Sequence, residues 1–123
     1  MSERSIVHLE ISAKDSAVSS KFYSDVFGWK IEVDPNFNYY QFKADGTMGL
    51  SYGAFVQADG QMYKAGDIIP YIGTDDIDRD LSKIEALGGK TVQPSTEIPG
   101  VGWFAFFQDP AGNRMGLFKT LPR

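Results

Sequence analysis

Two stretches of this chain, 61 residues apart, carry the same succession of structural signals. "SIVHLEIS" alternates Val7, Leu9 and Ile11 with His8, Glu10 and Ser12, the period of a half-buried strand. "DIIPYIGT" holds the same place in the second half. Each strand precedes an aspartate suited to cap a helix, Asp15 and Asp76. Each helical pattern then ends at glycine, Gly28 in one half and Gly88-Gly89 in the other. Ile11 to Ile72, Asp15 to Asp76 and Gly28 to Gly89 all keep the offset of 61 without a gap. A register held through strand, cap and stop points to a duplicated unit.

The remaining elements follow the same order. Val18, Phe22, Tyr23, Val26 and Phe27 form an apolar stripe on the first helix, and Ile77, Leu81, Ile84 and Leu87 form one on the second. "WKIEV" and "KTV" read as the next strands. Each is followed by a hairpin: "NYYQFKADGTMGLSYG", turning at Asp45-Gly46, and "GWFAFFQDPAGNRMGLFK", turning at Pro110 to Gly112. Aligning the hairpins on their shared Met-Gly-Leu sets Phe42 on Phe107 at offset 65 and Met48 on Met115 at offset 67. On that alignment the second turn is two residues longer. The expected class is α+β, two tandem βαβββ modules of about 5–53 and 67–119 joined by a linker of about 54–66, within one domain of 123 residues.

Composition excludes several functions. The absence of cysteine removes disulfides, thiolate metal sites and a thiol nucleophile. A net charge of −4 with scattered Lys and Arg argues against nucleic acid as a partner. No long apolar run or basic leader is visible, so a cytoplasmic protein without a membrane span is expected. "GGK" at 88–90 follows a helix instead of opening one, so it is no phosphate loop. "DIDRD" lacks the glycine and glutamate of a calcium loop, and its aspartates suit the first turn of the second helix.

"FYSDVFGWK", "IEALGGKTV" and "FFQDPAGNRMGLF" resemble segments of the glyoxalase, bleomycin-resistance and extradiol-dioxygenase superfamily, the vicinal oxygen chelate fold. The likeness runs from Ser5 to Lys119 and is more specific for fold than for activity. It implies two modules with curved mixed sheets around a cavity, often in a homodimer. In metal-dependent members the first and last strand of each module bear a ligand. The corresponding positions here are His8, Gly49, Ile69 (or Pro70) and Gly116. Only His8 among them can coordinate, with Glu10 as at most a second ligand, whereas a catalytic centre takes about three protein ligands. No cofactor is therefore expected, with a divalent metal as the alternative.

Strand alternation turns His8, Glu10 and Ser12 away from the helix, together with Gly49, Ser51, Ile69, Tyr71, Gly116 and Phe118. The glycines there are read as opening room for an organic ligand. Adjacent hairpin aromatics, Tyr39, Tyr40, Phe42, Phe104, Phe106 and Phe107, must divide between core and pocket, and alternation alone leaves the division open. Trp103, beside Gly102, is placed at a pocket mouth. The candidate ligand-binding residues are His8, Glu10, Ser51, Tyr71, Trp103 and Phe118. His8 and Glu10 are also the catalytic candidates, the carboxylate raising the basicity of the imidazole.

Two functions stay open. One is a metal-free small-molecule pocket like that of a bleomycin-resistance protein. The other is a glyoxalase-like lyase, isomerase or dioxygenase, using a non-standard metal site or acid-base chemistry by His8 and Glu10. A weaker third reading is an accessory domain whose partner completes the site.

Overall fold

The computed structural model describes residues 4–36, 38–44, 46 and 49–122. It has the α+β class expected, two βαβββ modules in succession. In the first, β1 (Ile6–Ala13) leads to α1 (Ser16–Phe27), β2 (Lys30–Asp34), β3 (Tyr39–Lys43) and β4 (Tyr52–Gln57). In the second, β5 (Ile68–Gly73) leads to α2 (Ile77–Ala86), β6 (Lys90–Ile98), β7 (Gly102–Gln108) and β8 (Arg114–Thr120). The strands of the first module lie in the order β2-β3-β4-β1, those of the second in the order β5-β8-β7-β6. In each module the first strand runs parallel to the last, and the others pair antiparallel.

Local signals account for the helix ends. Asp15 caps α1 by accepting from the backbone N–H of Ala17 at 3.0 Å and Val18 at 3.3 Å. Asp76 caps α2 by accepting from Arg79 N–H at 3.0 Å. These are the first orphaned donors of each helix. Gly28 ends α1 at φ 75°, in the left-handed region that glycine enters without a Cβ clash, and donates to Ser24 O at 2.8 Å.

The chain divides into two compact units, His8–Ile69 and, together, residues up to Val7 and from Pro70 onward. The first residues thus belong with the second half, not with the module of about 5–53. Arg4 Nη1 donates to Thr74 Oγ1 and to Asp80 Oδ2, both at 2.9 Å, and Gly73 N–H donates to Ser5 O at 3.0 Å. Residues 54–57, given above to the linker, belong to β4. The loop beyond turns at Asp59, whose Oδ1 accepts from Gln61 and Tyr63 N–H at 2.8 and 2.9 Å.

The hairpin alignment needs correcting. Ile11 pairs with Phe55 in the first module and Ile72 with Leu117 in the second. Phe55 is therefore the counterpart of Leu117, and Ala54 that of Gly116. Phe42 pairs with Gly53 and Phe107 with Met115, so Phe42 and Phe107 correspond as expected. The loop between β3 and β4 is consequently the longer one. Gly49-Leu50 precedes β4, whereas Met115-Gly116-Leu117 lies within β8. The repeated triplet is not a structural repeat. Met48 and Asp45 lie outside the described residues.

The cores sit between each helix and its own sheet. In the second module Ile77 and Leu81 of α2 pack with Ala105, Phe107 and Leu117. In the first, Tyr23 of α1 lies against Phe55 at 5.2 Å, and Phe42 stacks on Trp29 at 4.5 Å between ring centres. The other apolar residues expected to pack from α1 do not. Val18, Phe22, Val26 and Phe27 are exposed, and Ser16 and Ser20 are the buried residues of this helix. No helix among the described residues is long and apolar enough to cross a membrane.

Candidate functional site

Cross-strand partners share a sheet face, so the register sorts every side chain once one face is known. In the first module Phe55, Tyr40 and Phe42 have the parity of the helix face. His8, Glu10 and Ser12 of β1, Ala54 of β4, and Tyr39 and Gln41 of β3 therefore occupy the opposite face.

Three of these side chains make a chain of hydrogen bonds. Tyr39 Oη lies 2.7 Å from His8 Nε2 and donates to Glu10 Oε2 at 2.7 Å. The two strand residues are two apart, about 7 Å along β1, and the phenol fills the gap between them. Glu10 is 4 % exposed. Burial, then the charge of Glu10 and the bond to it, push the Tyr39 phenol far above its usual range, so it stays protonated. Its one proton goes to Glu10, and its oxygen accepts from the ring. This assigns His8 as the Nε2–H tautomer, with Nδ1 as the acceptor atom.

Burial lowers the His8 pKa to about 4. Burial thus leaves the imidazole neutral near pH 7, against the raised basicity that the sequence led one to expect. The phenol stands between the two groups. Below the unfolded value of 6.5 the denatured chain binds a proton that the folded chain refuses. Stability therefore rises with pH between about 4 and 6.5 and is fully present above 6.5. Lowering the pH from 7 to 4 should cost on the order of 2–3 kcal/mol through this group. The check is urea denaturation across that range: a His8→Gln variant should lose this slope, and an unchanged slope would assign it elsewhere. Against the opposing effect of burial, the bond from Arg4 holds Asp80 below the usual carboxylate range, and Asn113 holds Asp109 there, so the stability these carboxylates contribute is fully present above that range and is lost only as the pH falls below it, outside the His8 window.

Ser12 continues the row beyond Glu10. Its hydroxyl is buried with no hydrogen-bond partner among the described residues, so it has a donor to offer a bound group.

The same parity argument divides the second module. Trp103, Ala105, Phe107 and Met115 join the core under α2, leaving Tyr71, Phe104, Phe106, Arg114, Gly116 and Phe118 on the other face. Tyr71 lies 5.7 Å from Phe106, and the Arg114 guanidinium stands 5.8 Å above the Phe106 ring. Gly116 leaves no open room, because the Tyr71 ring occupies it: a Cβ there would lie 2.4 Å from the ring.

Of the expected site residues, His8 and Glu10 are joined through Tyr39, and Tyr71 and Phe118 share an aromatic face. Trp103 is not at a pocket mouth. Having the parity of Ala105 and Phe107, it packs toward α2, with Lys119 Nζ 5.1 Å over its ring. Ser51 lies before β4, its carbonyl accepting from Ala44 N–H at 2.8 Å as the hairpin closes. Gly49 lies outside β4 too, so the counterpart of Gly116 is Ala54. Tyr39 is the member of this hydrogen-bonded group that sequence reasoning misses, although a clue is present. Phe42 corresponds to the core residue Phe107, which gives Tyr40 the core and Tyr39 the opposite face.

These donors do not fit a three-ligand metal centre. His8 and Glu10 are both engaged by Tyr39, while Ala54, Ile69 and Gly116 have no coordinating side chain. Among the described residues no group of three or more His, Asp or Glu comes together.

The family model "Glyoxalase/Bleomycin resistance protein/Dioxygenase superfamily" matches residues 5–117. A glyoxylase-like domain-containing protein of Didymella fabae is 30% identical over 118 residues, covering 85% of each chain. Anthracycline biosynthesis protein DnrV of Streptomyces peucetius is 26% identical over 123 residues, covering 89% of this chain and 45% of that one. The present chain thus spans a little under half the length of DnrV. Among solved structures, a Streptomyces coelicolor methylmalonyl-CoA epimerase variant with bound 2-nitronate-propionyl-CoA has a TM-score of 0.69 at 20% identity, covering 99% of this chain and 100% of that one. The Mycobacterium tuberculosis methylmalonyl-CoA epimerase has a TM-score of 0.65 at 14% identity, with 94% and 87% covered. At these identities the structures establish the fold. With the repeat, the topology and the family match in agreement, the chain belongs to the glyoxalase/bleomycin resistance protein/dioxygenase superfamily.

Proposed function

We propose that this protein is a cytoplasmic small-molecule binder that works without a bound metal, with a second copy of the chain as its partner. One observation carries the reading: the Tyr39 phenol lies 2.7 Å from both His8 Nε2 and the buried Glu10 Oε2, so the imidazole is held in place as a hydrogen-bonding group, and burial keeps it neutral at physiological pH. A general base works best with a pKa near the operating pH. His8 instead orients a ligand's polar group, held by Tyr39 and Glu10, with the Ser12 hydroxyl on the same face. The name of DnrV supports an aromatic, oxygen-bearing ligand of the anthracycline kind.

The test is fluorescence titration with a hydroxyanthraquinone, beside elemental analysis of protein purified without chelators. His8→Ala and Tyr39→Phe should each weaken binding about tenfold, the worth of one hydrogen bond, while the fold persists. Wild-type affinity in both variants would remove the relay from the site. Stoichiometric zinc, nickel, manganese or iron would overturn the metal-free reading.

A lyase or isomerase of the glyoxalase-like kind is the second reading. It is favoured by the two 2.7 Å contacts that join a buried carboxyl group to an imidazole through a phenol, a path along which a proton can move. Turnover of a substrate that Tyr39→Phe abolishes without loss of binding would put this reading first.

A further inference from the structure

Helix α1 is turned the opposite way from α2. In α2 the apolar side faces the sheet, Ile77 and Leu81 being 4 % and 7 % exposed. In α1 Tyr23 packs inward on Phe55, but the fully buried residues are Ser16 and Ser20, whose hydroxyls have no hydrogen-bond partner among the described residues, while Val18, Phe22, Val26 and Phe27 are 64, 57, 55 and 62 % exposed. A helix that buries serines and shows water a row of valine and phenylalanine has its apolar face directed at something outside the unit.

The stripe itself says what that is. Val18, Phe22 and Val26 follow one another at intervals of four, small, large, small, so the row reads the same in both directions about Phe22. An identical helix reversed across a two-fold axis at Phe22 sets each valine against the partner's other valine, the self-complementary contact of a two-fold dimer. The row is also an i±4n ridge, and two such ridges interdigitate at a crossing angle of about −50°. Beside it runs the row of Lys21 and Asp25, an exposed ion pair at 2.8 Å. Reversal carries Lys21 of one copy toward Asp25 of the other, a two-residue displacement of about 3 Å from perfect opposition, which a lysine side chain spans.

We propose that α1 is the surface through which two copies of this chain associate, packed antiparallel with Phe22 at the two-fold axis. The proposal rests on the two-copy reading above, and the test separates them. Sedimentation equilibrium of the full chain up to about 100 µM should show a dimer, and Phe22→Glu should weaken association at least a hundredfold, a monomer at that concentration. Lys21→Glu should weaken it, by setting a second carboxylate against the partner's Asp25, and the double reversal Lys21→Glu with Asp25→Lys should restore it. Since the chain has no cysteine, Phe22→Cys offers a second readout: oxidation should link two chains through position 22, and Ser82→Cys on α2 should not. Circular dichroism checks that each variant folds. A monomeric wild type would overturn both the dimer and this surface. A dimer that Phe22→Glu leaves intact, and that oxidation fails to link in the Phe22→Cys variant, would overturn this surface alone.

Discussion

Gly116→Glu is expected to destabilise the protein by about 3–5 kcal/mol and to create no metal ligand. Position 116 is one of those at which the resemblance led one to look for a metal ligand. A Cβ there would meet three atoms of the Tyr71 ring between 2.4 and 2.8 Å away. That ring is 4 % exposed and set against Phe106, itself fully buried, so it has nowhere to swing. The carboxylate would also carry a charge into the same buried spot. Urea denaturation measures the loss. Pairing the change with Tyr71→Ala should cost clearly less than the two single losses added, because the second truncation vacates the space the first needs. Additive losses, or a Gly116→Glu variant within about 1 kcal/mol of wild type, would show that the ring does not bar the position. The first module solves the same geometry the other way: Glu10 faces Ala54 where Tyr71 faces Gly116. A long carboxylate tolerates a methyl opposite it, and a phenol ring does not.

Phe55→Ala should cost a similar 3–5 kcal/mol, a large share of the 5–15 kcal/mol typical of a small domain. Phe55 is wholly buried at the centre of β4, 5.2 Å from Tyr23 and 5.3 Å from Phe42, which in turn stacks on Trp29. Since α1 contributes mainly serines to its inner side, this aromatic cluster is what holds helix and sheet of the first module together. Removal of the ring leaves a cavity that neighbouring rings are too rigid to fill. Trp29 fluorescence reports the change at the same time, because Phe42 links the two sites. A loss below about 1.5 kcal/mol would mean that the cluster collapses into the gap and that α1 is held by other contacts.

Features governed by neighbours in the chain were legible before any coordinates. Asp15 and Asp76 cap their helices because a cap needs only an aspartate and the next few amides. The offset of 61 carried β1 onto β5 and α1 onto α2 for the same reason. The offset of 65 matched Phe42 to Phe107, and these two do occupy equivalent pairs. The Met-Gly-Leu echo misled, since letters in a loop and letters in a strand look alike when the loop lengths differ. Gly53, not Gly49, is the glycine that β4 requires: a Cβ there would meet Leu9 O and the Phe42 ring at 2.3 Å.

The amino-acid order by itself determined the class, the two βαβββ modules and the family, because strand period, caps and turns are local and repeat. It also placed a histidine and a glutamate on one side of one strand. Only the tertiary structure decided what they do. Register across strands brought Tyr39 between them, and burial took the charge from His8. The same long-range packing filled the space at Gly116 with Tyr71, put Trp103 under α2 and turned the apolar side of α1 outward. Each of those outcomes depends on which residues meet from distant parts of the chain, and a proton or a ring responds to that company rather than to its neighbours in sequence.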